Sequence, residues 1–98
     1  MISIAILGYG VVGSGVAEVC RMNNAVIRER VGRGIDIRYI LDIRDFPGDP
    51  LAERFTKDPE KILNDPDVTI VVETIGGAGF AYEITRIALS AGKHVVTS

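Results

Sequence analysis

The residues of this chain best suited to binding chemistry form a glycine-rich segment near its start, Gly8-Tyr9-Gly10-Val11-Val12-Gly13, which fits the pattern G-x-G-x-x-G. Between a strand and a helix, this pattern can bind a pyrophosphate. Gly8 permits a sharp turn, and Gly10 removes the side chain that would block the anion. Gly13 lets the helix approach the sheet, and free amide groups at the helix start point at the anion. We therefore predict a dinucleotide-binding loop, with a glycine-rich turn that binds nothing as the alternative. Its residues would be Gly8, Tyr9, Gly10, Val11, Val12 and Gly13.

The residue expected to meet the adenosine ribose follows the second predicted strand. Asp42 lies 29 positions after Gly13, whereas the usual interval is about 20, and a long first helix accounts for the difference. A carboxylate there accepts hydrogen bonds from the ribose hydroxyls and repels a 2′-phosphate, which favours NAD. Arg44 favours NADP, because a guanidinium can bind a phosphate in a bidentate fork, unless it is a solvated loop residue. The sequence therefore leaves NAD and NADP open.

A second glycine-rich segment, Thr74-Ile75-Gly76-Gly77, follows the fourth predicted strand. In a doubly wound sheet this strand lies beside the first, and ligands bind in the crevice where the winding reverses. We therefore expect Thr74, Ile75, Gly76 and Gly77 to face the nicotinamide half of a dinucleotide. The alternative is a helix entry in which the glycines only relieve crowding. Glu73, just before them, is a candidate functional carboxylate without an identified partner.

Apolar patterning predicts the elements that position these segments. Continuous apolar runs suit strands buried on both faces of a parallel sheet, and spacings of three and four residues suit amphipathic helices. We predict strands over Ile2–Leu7, Ile35–Leu41, Val68–Val72 and His94–Thr97, and a short one near Arg54–Thr56. We predict helices over about Val11–Arg30 (with an irregularity at Asn23-Asn24), from Pro59 (capped by Asp58) to Leu63 or Asn64, and over Phe80–Ala91.

The alternation of these elements predicts the fold class. Strands separated by crossover helices run parallel, and the crossovers are right-handed. The fold class is therefore α/β, a Rossmann-type doubly wound parallel sheet with strand order 3-2-1-4-5, truncated before a sixth strand.

Length and composition exclude several classes of protein. With 98 residues, 47% hydrophobic and 24% charged, we expect one globular domain over residues 1–98. A net charge of −2 offers no basic excess for nucleic acid, and no apolar run approaches the ~20 residues that span a bilayer. The single cysteine, Cys20, can form no internal disulfide, and no His/Cys cluster suits a metal. We predict no metal, nucleic-acid or membrane partner, and a cytoplasmic location.

Three segments together resemble the N-terminal cofactor domain of homoserine dehydrogenases. Gly10–Val16 is similar to the G-x-G-x-VGSGV loop of that family, Val71–Gly77 to its VVE-x-IGG loop, and Ala88–Thr97 to its AL-x-AGKHVVT strand. The resemblance covers essentially the whole chain and is least distinctive from Asn23 to Lys57. The AGKHVV segment alone is also shared by related two-domain dehydrogenases.

The resemblance implies a hydride transfer that interconverts L-aspartate 4-semialdehyde and L-homoserine with NAD(P)H, in threonine and methionine biosynthesis. It implies that Thr97 and Ser98 flank the nicotinamide. The family's active-site lysine and its substrate domain would follow Ser98, so we assign no catalytic residue and expect the chain alone to be inactive. We expect the full-length protein to be a homo-oligomer and to bind the small-molecule substrate. A non-enzymatic NAD(H)-sensing regulatory module is the alternative function, and a methyltransferase is a weaker one.

Overall fold

The computed structural model describes residues 1–77 and 79–98, which contain five strands and four α-helices. The strands are β1 (Ile2–Leu7), β2 (Ile35–Leu41), β3 (Phe55–Thr56), β4 (Val68–Glu73) and β5 (His94–Thr97). The helices are α1 (Val11–Met22), α2 (Asn24–Val31), α3 (Pro59–Leu63) and α4 (Phe80–Ser90), and a short 3₁₀ helix covers Ala52–Arg54. Every predicted strand is therefore present, with bounds that differ from the prediction by at most one residue.

The five strands form one parallel sheet in the order β3-β2-β1-β4-β5. β1 lies at its centre, where Ile6 and Leu7 are completely buried because helices cover both faces. Leu7 packs in a core cluster with side chains of α3 and α4, whereas Ile6 packs with Ala17 of α1. This arrangement confirms the predicted Rossmann-type fold and strand order. It also brings the carboxyl ends of β1, β2 and β4 to one edge of the sheet.

The prediction of one continuous helix over Val11–Arg30 is wrong, because two helices, α1 and α2, meet at Asn23. The break lies at Asn23-Asn24, where an irregularity was predicted. Asn23 has φ −108° and ψ 10°, outside the helical range. Its side-chain amide donates to the carbonyl oxygen of Val19 at 3.0 Å, in competition with the backbone bonds of the helix. The neighbouring Asn24 accepts a hydrogen bond from the amide of Ile35 at 2.8 Å. The start of α2 is thereby tied to the start of β2.

The predicted start of α3 is confirmed in its details. Pro59 is the first helical residue, and the Asp58 carboxylate accepts a hydrogen bond from the amide of Glu60 at 3.0 Å. Proline suits this position because its missing N–H would have no partner there. α3 thus satisfies its own N-terminal amides with a side chain, in contrast to α1.

Charged groups hold the amino edge of the sheet, opposite the glycine-rich loops. The Lys93 ammonium, only 7% exposed, donates to the carbonyl oxygens of Asp65 and Val68, both at 2.7 Å. The Asp65 carboxylate accepts from Arg38 Nε at 2.7 Å and from the Tyr39 hydroxyl at 2.8 Å. These bonds connect β2, β4 and β5 at the edge where the strands begin.

Membrane-spanning helices and metal-ligand clusters are both missing from the part of the chain that the structure describes. The helices there are too short or too polar to cross a bilayer. Within residues 1–77 and 79–98, no three His, Cys, Asp or Glu side chains gather closely enough to hold a metal ion.

Candidate functional site

The first glycine loop, residues 8–13, has a backbone that only glycine can form at two of its positions. Gly8 has φ +93°, in the left-handed region that side chains disfavour. A Cβ added to Gly13 would lie 1.9 Å from the carbonyl oxygen of Gly8, so α1 begins in backbone contact with the end of β1. Thr74 secures the same turn, because its hydroxyl donates to the carbonyl oxygens of Leu7 and Gly8 at 2.8 and 3.0 Å.

The start of α1 leaves its amide groups available to a ligand. Gly10 is the N-cap residue and provides no side-chain acceptor, and the first turn contains no acidic residue. A Cβ added to Gly10 would meet no other atom within 4 Å, and its φ of −82° is ordinary. Val11 is 92% exposed and Val12 51% exposed. An anion could therefore approach the first-turn amides without displacing any protein atom, which fits a pyrophosphate.

Asp42 and Arg44, predicted as rival ribose contacts, form an ion pair with each other. Asp42 Oδ1 accepts from Arg44 N at 2.8 Å and Nε at 3.0 Å, and Oδ2 accepts from Arg44 Nη2 and Tyr9 N, both at 2.9 Å. The bonds from Arg44 hold the pKa of Asp42 well below its usual value, although partial burial opposes them. All four lone-pair sites of the carboxylate are thus occupied. A ribose hydroxyl could bind Asp42 only where the Arg44 side chain turns away.

The Tyr9 side chain connects the first glycine loop to the segment that follows β2. Its hydroxyl donates to Asp49 Oδ2 at 2.9 Å, and its ring packs edge-on against Phe46 and Phe55 at centroid distances of 5.0 and 4.8 Å. Burial, together with the bond to Asp49, raises the pKa of Tyr9. Tyr9 was predicted as a cofactor residue; its amide lies in the loop, while its side chain holds the neighbouring segment.

A cavity of about 480 Å³ opens beside the ion pair. Asp42, Arg44 and the rings of Phe46 and Phe55 line it, and Lys57 lies at its wall. Arg44 also lies over the ring of Phe46, 5.2 Å from its centroid. Sequence reasoning missed Lys57, although it follows β3 at the same edge of the sheet, and a cation at the end of a parallel strand is the signal that could have identified it.

A second cavity, of about 350 Å³, lies between the two glycine-rich loops. Its wall is mainly apolar and includes Gly8, Ile43, Ile75 and Phe80, with Lys57 at its rim. Ile75 was predicted to lie beside the nicotinamide. In the structure it lines this cavity together with Asp42 and Lys57, which also line the cavity beside the ion pair. A mainly apolar cavity at this edge suits an aromatic base.

The second glycine loop needs glycine for its backbone. Gly76 and Gly77 have φ +78° and +85°, and a Cβ on either would meet no described atom within 4 Å other than those of its chain neighbours. The amide of Gly76 donates to the Glu73 carboxylate at 2.6 Å, which holds the loop against the end of β4. Thr97 pairs with Glu73 across the sheet, and the amide of Ser98 donates to the Glu73 carbonyl at 3.1 Å. The structure thus brings Thr74, Gly76, Gly77, Thr97 and Ser98 to the same edge of the sheet, around the end of β4.

Comparison with known proteins decides the family. A family model described as the NAD-binding domain of homoserine dehydrogenase matches residues 8–98. The chain belongs to this family. The resemblance drawn from the three sequence segments is confirmed, and the family's cofactor is a nicotinamide dinucleotide, NAD or NADP.

Curated members of the family match nearly the whole chain. It is 38% identical over 99 residues to the homoserine dehydrogenase of Neisseria gonorrhoeae, covering 99% of this chain and 23% of that protein. It is also 38% identical over 98 residues to the homoserine dehydrogenase of Pseudomonas aeruginosa, with the same two coverages. The chain thus spans about a quarter of the length of the homoserine dehydrogenases it matches.

Solved homoserine dehydrogenase structures share the fold. The Staphylococcus aureus enzyme at pH 7.0 superposes with a TM-score of 0.90 at 36% identity, covering 99% of this chain and 26% of that one. The Thiobacillus denitrificans enzyme superposes with a TM-score of 0.87 at 38% identity, covering 98% and 23%. These relatives are dehydrogenases, so they give no support to the alternative of a non-enzymatic sensing module.

Proposed function

We propose that this chain is the cofactor domain of an enzyme that interconverts L-aspartate 4-semialdehyde and L-homoserine with NAD(P)H. The main support for this proposal is the uncapped start of α1. Gly10 leaves open space there, in front of the amide groups of the first helical turn. α3 shows that this chain can cap a helix with its own aspartate. The missing cap on α1 therefore fits a ligand that supplies the negative charge itself.

The dinucleotide lies across the carboxyl edge of the sheet in this proposal. The pyrophosphate binds the amides of residues 11–13, and the adenosine ribose lies beside Asp42 and Arg44. Thr74–Gly77 and Thr97–Ser98 flank the nicotinamide. The bound cofactor supplies the hydride that the reaction transfers, while the residues of this chain bind it and orient its ring. No residue among the 98 is assigned a catalytic role, and the chain alone is expected to be inactive.

The Asp42–Arg44 pair is proposed to select between the two dinucleotides. A 2′-phosphate would compete with the Asp42 carboxylate for the Arg44 guanidinium, with Lys57 as a second nearby cation. Replacing Arg44 by alanine is expected to weaken NADP⁺ binding about tenfold, since a bond to a charged group is lost. NAD⁺ binding is expected not to weaken, because Asp42 is then free to accept from the ribose hydroxyls. Arg86→Ala, which removes an exposed arginine of α4, is the control. Equal losses for both dinucleotides would contradict the assignment.

The test of the cofactor role is calorimetric titration of the 98-residue chain with NAD⁺, NADH, NADP⁺ and NADPH. Saturable binding of at least one is expected. Gly10→Asp should abolish it, because the new carboxylate occupies the open space and repels the pyrophosphate. Gly15→Asp adds the same charge further along α1, also in open space, and should weaken binding much less. Binding by Gly10→Asp as tight as that of the unaltered chain would overturn the proposal.

We also propose that the full-length protein is a homo-oligomer and that this chain self-associates. Large apolar side chains remain exposed on α1, α4 and β5, including Met22 at 75%, Leu89 and Val96. Sedimentation at rising concentration tests this, and a stable monomer at high concentration would contradict it. The single-domain assignment of residues 1–98 and the cytoplasmic location stay predictions from the sequence.

A further inference from the structure

We propose that Glu73 makes the cofactor site favour the oxidised dinucleotide over the reduced one. The proposal rests on the proposed function, because it requires a nicotinamide ring at the carboxyl ends of β4 and β5. The oxidised ring carries a positive charge and the reduced ring is neutral. A fixed negative charge nearby therefore stabilises the oxidised form alone.

Glu73 is a buried carboxylate with no counter-ion among the residues that the structure describes. It is 5% exposed, and its Oε2 accepts a hydrogen bond from the amide of Gly76 at 2.6 Å. No ion pair within residues 1–77 and 79–98 includes Glu73. Lys93, the other buried charged residue described, binds the carbonyl of Val68 at the start of β4. Five strand residues, roughly 17 Å, separate that position from Glu73.

This burial needs an explanation, because a carboxylate taken out of water is costly unless a positive charge or several donors compensate it. A single amide donor compensates it in part. A cationic group of a ligand would offset the rest of the cost of burying this charge, and the nicotinamide ring of the oxidised cofactor is such a group.

The position of Glu73 in the sheet places it at the crevice. Its backbone pairs with Leu7 on one side and Thr97 on the other, so three strands end around it. The loop that it holds is open within the described part of the chain, since Gly76 and Gly77 carry no side chain and, apart from their chain neighbours, no described atom lies within 4 Å of where one would be. A ring that enters between this loop and the end of β5 comes within the field of the carboxylate.

The experiment measures the dissociation constants of NAD⁺ and NADH, and of NADP⁺ and NADPH, for the unaltered chain and for Glu73→Gln. Glutamine has the same shape, and its carbonyl can still accept from the Gly76 amide, so the charge is the main change. The ratio of the oxidised to the reduced dissociation constant is expected to rise about fivefold, a moderate effect for partly screened charges near a surface. Glu29→Gln removes an exposed carboxylate of α2 and should leave the ratio unchanged.

The outcomes separate this proposal from the one it rests on. Failure of the unaltered chain to bind any dinucleotide contradicts the cofactor role and this proposal together. Normal binding by the unaltered chain with an unchanged ratio in Glu73→Gln, or equal weakening of both redox forms, overturns the role of Glu73 alone. If circular dichroism shows that Glu73→Gln does not fold, the dissociation constants of the unaltered chain provide the test. The oxidised form is expected to bind more tightly than the reduced form, and the reverse order refutes the proposal.

Discussion

Replacing Gly13 by alanine tests the backbone contact that positions α1 against the sheet. The new methyl carbon would lie 1.9 Å from the carbonyl oxygen of Gly8, 2.9 Å from its carbonyl carbon and 3.0 Å from Thr74 Oγ1. The first two atoms are backbone, so relief requires α1 to move away from β1. Overpacking that side chains can absorb costs about 1–3 kcal/mol, and we expect a loss near the upper end of that range, about 3 kcal/mol.

Gly15→Ala is the matched control, because it makes the same substitution two residues later in the same helix. A Cβ on Gly15 would meet no other atom within 4 Å. Alanine in a helix interior is more stable than glycine by about 0.5–1 kcal/mol, so this variant should be stabilised. The two substitutions therefore differ in sign as well as in size.

Urea denaturation of both variants and the unaltered chain, followed by circular dichroism, measures the difference. The free energy of unfolding should fall for Gly13→Ala and rise for Gly15→Ala, a separation of about 4 kcal/mol. Thermal midpoints should separate by roughly 16 °C or more, at about 4–8 °C per kcal/mol for a domain of this size. If Gly13→Ala proves as stable as Gly15→Ala, the close approach of α1 to β1 is refuted.

Two further predictions concern the amino edge of the sheet. The bond from Arg38 lowers the pKa of Asp65 from 3.8 to about 2, so its stabilisation is complete above pH 4 and is lost as the pH falls to about 2. Solvent screening at the partly exposed Arg38 side chain weakens this stabilisation. Thermal melts should show that Asp65→Asn is less sensitive to acid than the unaltered chain, and identical acid profiles would contradict this. Lys93→Met leaves two carbonyl oxygens unpaired, so it should lower the free energy of unfolding, measured with urea, by about 2 kcal/mol. Lys61→Met, at an exposed position, should change it little. Equal midpoints would show that the buried ammonium does not stabilise the edge.

The features that depend on local chemistry were predictable from the sequence. The apolar side chains of Ile2–Leu7 can be buried on both faces only in the middle of a parallel sheet. The strand and its central position could therefore be predicted. Gly8 and Gly13 lie where a sharp turn and a close helix approach require glycine, and both requirements are met in the structure. The cap at Asp58 is likewise a short-range effect, since it joins residues two positions apart in the sequence.

The features that depend on distant contacts were not predictable. Tyr9 lies in the first glycine loop, but its side chain is positioned by Phe46, Asp49 and Phe55. These residues lie far from Tyr9 in the sequence, so no local pattern predicts the contact. An irregularity at Asn23-Asn24 was predicted, but the bond from the Ile35 amide to Asn24, which ties the new helix to β2, joins residues too far apart for the helical pattern to show. Asp42 and Arg44 were treated as alternatives because their spacing alone does not show that the turn brings them together.

Pyrophosphate binding at the start of α1 is tested by a nuclear magnetic resonance titration of the ¹⁵N-labelled chain with ADP-ribose, which contains the pyrophosphate and lacks the nicotinamide. The backbone amide signals of Val11, Val12 and Gly13 are expected to shift saturably and by the largest amounts. Saturable binding that leaves these three signals in place and shifts others would contradict the assignment of the α1 start as the pyrophosphate site.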